Sequence, residues 1–349
     1  MTRIKQRQVG QTPLYVTELG FGAASIGNLY KETRDLEARD VLNKCWELGI
    51  RFFDTAPEYG HGLAERRMGD ALRQFPADDY VLSTKVGDML YAQPNAKPPE
   101  NKFINKLNFF LRHDYSYDGI MRCFEDSMQR LGLSAIDLLL IHDLDSIIHQ
   151  PDVFESHFKT FVDSGYKALE VLRASGAVKA IGLGIKQWEV CERAMQTGQY
   201  DCFMLQGNYT LLEQPALDTF LPRCVKEHVS VFIAGPFGSG ILATGPVKNA
   251  HFHHQQADPQ TLQRVTQMQA VCNEFNVPLA AAAIQFPLMH PAISSVVIGS
   301  RSADRMQQNV NYYHTDIPAE LWSALKAKNI IPEGAPCHDH RRTSTLLDA

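Results

Sequence analysis

The strongest constraint on this chain is its rhythm. Eight times along it, a short apolar run gives way to a longer segment with helical spacing. Short runs rich in β-branched and aromatic residues read as strands, and longer stretches with apolar residues every three or four positions read as helices. Strands are predicted at LGFGAA (19–24), RFFDTA (51–56), YVLSTKVG (80–87), AIDLLLIHD (135–143), VKAIGLGI (178–185), CFMLQGN (202–208), VSVFIAGPF (229–237) and SSVVIGS (294–300). Helices are predicted at 33–48, 64–74, 117–131, near 165–175, at 188–197, 215–227, 259–275 with 278–289, and 303–312. Strand–helix alternation calls for right-handed crossovers and a parallel sheet. Eight units in 349 residues predict a closed (β/α)8, or TIM, barrel, preceded by an N-terminal hairpin lid at IKQRQVG and LYVTE. The alternative is an open doubly wound sheet. It wants G-x-G-x-x-G after its first strand, and GFGAASIG (20–27) does not fit that pattern.

No linker divides the chain, so it reads as one domain over 1–349, with a core of roughly 10–315 and a surface or partly disordered tail at 332–349. The long loops 92–108 and 239–258 follow the third and seventh strands, which puts them on the C-terminal face of a barrel. Tyr115, Tyr117 and the stretch 103–113 read either as a helix packed on the barrel or as a lid over a substrate. A net charge of −5 lacks the basic footprint of nucleic-acid binding. No apolar run approaches the ~18 residues of a membrane span, and the N-terminus carries charges without the apolar stretch of a secretory signal. Seven scattered cysteines without a C-x-x-C read as reduced, buried thiols of a cytoplasmic protein. His251, His253, His254, His338, His340 and Cys337 match no structural zinc spacing, so no metal is expected.

In a barrel, polar residues at the C-terminal ends of strands are the functional ones. Asp54 ends the second strand, Tyr59 lies in the loop after it, Lys85 ends the third and His142 the fourth. Each alone has an ordinary explanation, such as an aspartate capping a turn. Together they place ionisable groups from three adjacent strands at one pole.

These residues carry a resemblance. GIRFFDTAPEYGHGLAERRMGDALR, with its Asp and a Tyr five residues later, resembles the signature of the aldo-keto reductases. Lys85 in VLSTKVG and His142 in DLLLIHD match the other two members of that family's catalytic tetrad. The resemblance spans roughly residues 10–315. It is closest to the sugar 1-dehydrogenase branch through 114–133, IHDLD (141–145) and NYTLLEQ (208–214). That branch includes L-fucose, D-threo-aldose and L-galactose dehydrogenases, and pyridoxal dehydrogenases resemble it. The chemistry agrees with the resemblance. A phenol near pKa 10 is a weak acid, a neighbouring ammonium favours phenolate, and a carboxylate holds the ammonium in place. The roles implied are Tyr59 as acid/base, Lys85 as its tuner, Asp54 as the anchor of Lys85, and His142 as a hydrogen-bond donor orienting the substrate oxygen.

The resemblance also implies NAD or NADP as cofactor. Gln206 matches the partner of the nicotinamide carboxamide. PFGSGIL, with Pro236, Phe237, Gly238, Ser239, Gly240 and Leu242, and VVIGSRSADRMQQNV, with Gly299, Ser300, Arg301, Arg305, Gln308 and Asn309, match the phosphate and adenosine segments. Three positions depart from the family pattern. Gly184 and Ile185 stand where a Ser-Asn pair often grips the carboxamide, leaving Lys186 or Gln187 to substitute. Ala234 replaces a stacking aromatic, and Gly299 replaces a lysine used on the NADP 2′-phosphate. The implied function is oxidation of a free aldose at C1 to its lactone, with a small-molecule sugar or aldehyde as the only partner and the oligomeric state left open. A pyridoxal 4-dehydrogenase or broad aldehyde reductase, and a non-catalytic cofactor-binding scaffold, are the alternatives. His61 reads as loop or substrate contact, and Trp188 as a packing or sugar-stacking residue.

Overall fold

In the structure, a computed structural model that describes residues 3–253 and 255–337, eight parallel strands close into a barrel. The strands are β1 (Leu19–Gly22), β2 (Phe52–Asp54), β3 (Val81–Val86), β4 (Leu138–His142), β5 (Ala180–Ile185), β6 (Cys202–Gln206), β7 (Ser230–Ala234) and β8 (Ile293–Ile298). They pair in chain order, and β8 returns to β1. The helices that alternate with them include α1 (Asp35–Glu47), α2 (Leu63–Leu72), α3 (Tyr117–Leu131), α4 (Tyr166–Ala174), α5 (Trp188–Ala194), α6 (Phe220–Lys226), α7 (Leu279–Leu288) and α8 (Ala303–His314). His254 and the tail from 338, with His338 and His340, lie outside the described residues.

The strands are buried on both faces, which is why they read as apolar runs rather than as alternating patterns. One core lies between the sheet and the helices. A second fills the barrel, where Phe52 and Phe232 meet with ring centroids 5.0 Å apart. The hairpin Gln6–Gln8/Tyr15–Thr17 adds Val9, Leu14 and Val16 to this inner core. Arg7 fastens it by donating to the carbonyls of Leu288 and Ile293 and by pairing with Glu18. Helix starts follow local chemistry: the Ser116 hydroxyl caps α3 by accepting from Gly119 N, and the Ser302 hydroxyl caps α8 by accepting from Arg305 N.

Two segments differ from expectation. The fourth crossover is longer than 165–175, running through Pro151–Thr160 and a π-helical turn at Phe161–Gly165 before α4. Phe154, Phe158 and Phe161 recur at helical spacing there and are buried. The stretch 103–113 is not a helix. Phe110–His113 pairs antiparallel with Asp88–Tyr91, because the chain returns along β3's extension and the cross-strand partners override local helical spacing. No helix among the described residues is long and apolar enough to cross a membrane.

Candidate active site

Asp54 and Lys85 sit at the ends of neighbouring strands, both 2% exposed. The Lys85 ammonium donates to both Asp54 oxygens, at 2.8 and 2.7 Å, and to the Thr55 carbonyl at 2.8 Å. All three of its protons have partners, which is what a buried ammonium requires. Tyr59, in the turn between β2 and α2, lies over this pair with its ring centroid 5.2 Å from Lys85 Nζ. The His142 ring, from the end of β4, meets it edge-on at 5.7 Å, and Phe103 covers it at 5.9 Å. The four residues expected at one pole are therefore brought together. Burial first, and then the carboxylates of Asp54, Glu58, Asp143 and Asp88, hold the Tyr59 phenol well above its usual range. Lys85 Nζ, close beneath the ring, is itself paired with Asp54 at 2.7 Å.

Glu58, Asp88, Lys102 and Asp143 were not anticipated at the site. Carboxylate oxygens of Glu58 and Asp143 and a ring nitrogen of His142 lie within 4.8 Å of one another. Each carboxylate is held by a lysine: Glu58 by Lys102 at 2.9 Å and Asp143 by Lys186 at 2.5 Å. The Asp88 carboxylate lies 2.5 Å from His142 Nδ1, and the Tyr115 hydroxyl donates to the His142 carbonyl at 3.0 Å. Acids and lysines scattered between residues 58 and 186 give no local signal of convergence. The nearest hint was that each lies within four residues of a barrel strand end or on the long loop after β3.

The remaining expectations resolve as follows. His61 is a loop brace: its Nδ1 donates to the Phe109 carbonyl and its Nε2 accepts from Asn101. Trp188 packs against Phe220. Lys186 and Gln187 are committed to the loop after β4, through Asp143 and Ser146. Gly184 has a steric reason, since a Cβ there would lie 3.2 Å from Lys85 Cε. Gln206 ends β6 exposed, and beside it the Asn208 amide donates to the carbonyls of Lys186 and Gln206. Ala234 ends β7 half-buried. His251 and His253 are exposed, and His253 bonds Glu213.

A dinucleotide needs partners for its phosphates, and the residue that fits one is Arg301, whose Nε is buried without a partner. Gly238, Ser239 and Gly240 have φ of 53°, 58° and 102°, and a Cβ at Gly240 would meet nothing within 4 Å. The glycine amides close the turn, Gly238 N donating to the Gly235 carbonyl and Gly240 N to the Phe237 carbonyl. Pro236 and Leu242 are buried and anchor this turn, with Phe237 half-buried between them. Opposite, β8 runs through Gly299 and Ser300 into α8. The Ser300 hydroxyl accepts from Ser302 N, and its carbonyl accepts from Ser25 Oγ. Arg301 donates to the Leu29 carbonyl, yet its Nε is buried without a partner. Burial, and then the neighbouring Arg305, lower its proton affinity, and a bound anion would relieve both effects. Arg305 and Gln308 are exposed on α8, whereas Asn309 is buried beneath them.

Comparison with known proteins places these features in context. A model of the aldo/keto reductase family matches residues 18–330. A pyridoxal 4-dehydrogenase of Microbacterium luteolum is 40% identical over 337 residues, covering 94% of this chain and 98% of that protein. A D-threo-aldose 1-dehydrogenase of a Pseudomonas species is 38% identical over 324 residues, covering 91% and 96%. In structure, the aldo-keto reductase AKR11C1 from Bacillus halodurans in its holo form shares the fold with a TM-score of 0.73 at 24% identity, covering 97% and 99%.

Proposed function

The chain belongs to the aldo/keto reductase family and is an oxidoreductase, and from that premise we propose that it oxidises the C1 hydroxyl of a free aldose, of the L-fucose or D-threo-aldose kind, to the lactone. The observation that carries this reading is the buried Asp54–Lys85 pair beneath Tyr59, with His142 and two lysine-held carboxylates beside it. Bound NAD or NADP supplies the hydride acceptor for C1. Tyr59 takes the proton of the C1 hydroxyl as the carbonyl forms, and returns it to the oxygen in the reducing direction. Lys85, fixed by Asp54, holds a positive charge under the ring where phenolate develops. His142 bonds the same substrate oxygen and orients it. Glu58 and Asp143 accept hydrogen bonds from the other hydroxyls, which suits a polyol. Gln206, the 238–240 turn, Ser300, Arg301, Arg305, Gln308 and Asn309 would hold the cofactor.

A second reading has its own support in the 40% identical pyridoxal 4-dehydrogenase. Pyridoxal carries an aldehyde beside a hydroxymethyl group and closes to a cyclic hemiacetal. A ring-form aldose presents the same kind of carbinol, so one site chemistry serves either substrate. The test is a panel of free aldoses and pyridoxal with NAD+ and with NADP+, following absorbance of the reduced nicotinamide. Turnover of L-fucose or a D-threo-aldose supports the first reading, and turnover of pyridoxal alone replaces it with the second. Tight cofactor binding without turnover of any of them would leave only a scaffold.

A further inference from the structure

At the end of β3 the chain turns at Gly87 (φ 102°), where a Cβ would lie 2.5 Å from the Tyr115 ring. The turn opens the hairpin in which Asp88 and His113 face each other across the strands. The Asp88 side chain is 1% exposed and sits between two imidazoles. His142 Nδ1 is 2.5 Å from one carboxylate oxygen and His113 Nδ1 is 2.9 Å from the other. Among the described residues no lysine or arginine pairs with it. We propose that Asp88 is a positioning residue for the reaction, fixing the ring orientation and tautomer of His142, with His113 as its outer brace. The proposal rests on the reading of His142 as part of the reacting site.

The chemistry of the pair supports it. Burial pushes the Asp88 carboxyl up, but the His142 charge and the hydrogen bonds from His113 and His142 outweigh burial and leave it well below the usual carboxylate range. An ionised carboxylate only accepts hydrogen bonds, so both rings present Nδ1–H to it. For His142 this leaves Nε2 as the nitrogen that meets the substrate oxygen, an acceptor on the neutral ring and a donor on the charged one. Tyr115 adds a second hold, donating to the His142 carbonyl and accepting from His149 Nε2 at 3.1 Å.

His113 has a different setting. Its side chain is 29% exposed, stacked on Tyr115 and edge-on to His149 and His157 at 4.6 and 6.5 Å. Burial lowers its proton affinity, but the hydrogen bond and charge of Asp88, with Asp143 and Glu58 farther off, raise it above the ordinary histidine range. His149 and His157 are pushed down, by burial and then by His113. His113 is therefore the outer histidine that keeps a proton nearest neutrality. It holds one Asp88 oxygen while His142 holds the other, so loss of the His113 charge leaves the hydrogen bond and removes only the electrostatic part of the brace.

Nitrogen-15 and proton spectra of the histidine rings, on the full chain without cofactor or substrate, test the first half. In the wild type, His142, assigned with His142→Gln, should show a protonated Nδ1 with a strongly downfield N–H resonance. Asp88→Leu removes the hydrogen bond, and Asp88→Asn keeps the shape while removing the charge, which guards against a Leu variant that fails to fold. Both should lose that resonance, and Asp88→Glu should restore part of it. Kinetics with L-fucose and NAD+ should show kcat lower by roughly tenfold or more in Asp88→Asn with KM for NAD+ unchanged. In His113→Gln the change of the His142 Nδ1–H resonance with pH that follows His113 should disappear. An unchanged His142 resonance in a folded Asp88 variant overturns the proposal whatever the substrate. A lost resonance with unchanged kcat also overturns it, and a His142 resonance that still shifts with pH in the same way in His113→Gln removes the brace. If the wild type turns over neither aldoses nor pyridoxal, the substrate reading fails and the ring spectra alone decide the positioning role.

Discussion

Burying a lysine is costly unless every proton finds an acceptor, and Lys85 meets that condition with Asp54 and Thr55. Burial first, and then the carboxylates nearby, hold the Tyr59 phenol well above its usual range, so it keeps its proton through the neutral range. Oxidation needs the base form of Tyr59 and reduction the acid form. The oxidation rate should therefore climb with pH through neutrality into the alkaline range, while the reduction rate does not. Steady-state profiles in both directions check this, and a flat oxidation profile with chemistry rate-limiting would contradict it. Tyr59→Phe should lower kcat by roughly 10²–10⁴-fold while leaving cofactor binding, read by fluorescence titration, nearly intact. A fully active Tyr59→Phe variant would falsify the assignment. The Asp, Tyr, Lys and His of the site were legible because each follows a readable strand end. Asp88 was not, because its role depends on His113, which comes next to it only when 110–113 pairs with 88–91.

At the scale of elements, α2 and α3 are joined to β3 by a buried ion pair. Glu65 is fully buried, accepts from Thr84 Oγ1 at 2.8 Å, and takes the Arg130 guanidinium at 2.5 Å. Removing one partner of such a pair strands the other charge in a place without water. Arg130→Ala should cost about 3–5 kcal/mol in urea unfolding. Arg130→Met combined with Glu65→Gln should recover much of that loss, and a single variant as stable as the wild type would show the pair to be incidental. Helix α8 carries a prediction about cofactor choice. Gly299 offers no side chain for a 2′-phosphate, so the cations left near it are Arg305, exposed in the first turn, and Arg301 before the helix. On the proposed placement Arg305→Ala should raise KM for NADP about tenfold or more and leave that for NAD nearly unchanged. Equal effects on both cofactors would move the 2′-phosphate contact elsewhere.

For the whole molecule, closure of the barrel makes its interior and its helical shell inaccessible together. Six of the seven cysteines are buried, and only Cys337 is partly exposed. Burial also pushes the thiols up, to about 11 for Cys272 and further for the deeper ones, so little thiolate is available to react. A thiol reagent at neutral pH should label at most one cysteine in the native protein. The other six should react together, at the denaturant concentration where circular dichroism is lost. Stepwise labelling at lower denaturant would mean that part of the shell opens independently.

The sequence by itself determined the barrel and the pole at which its polar residues gather. Both follow from local regularities: apolar runs long enough to be buried on two faces, helical spacing between them, and a polar residue where each run ends. The tertiary structure decided what depends on distance across the chain. It paired 110–113 with 88–91 where 103–113 had read as a helix or a lid, committed Lys186 and Gln187 to the loop after β4, and drew Glu58, Asp88 and Asp143 around His142. It also set the direction of the Tyr59 shift, because burial and charge at a site sum over every neighbour in space, and one strand end carries no record of the others.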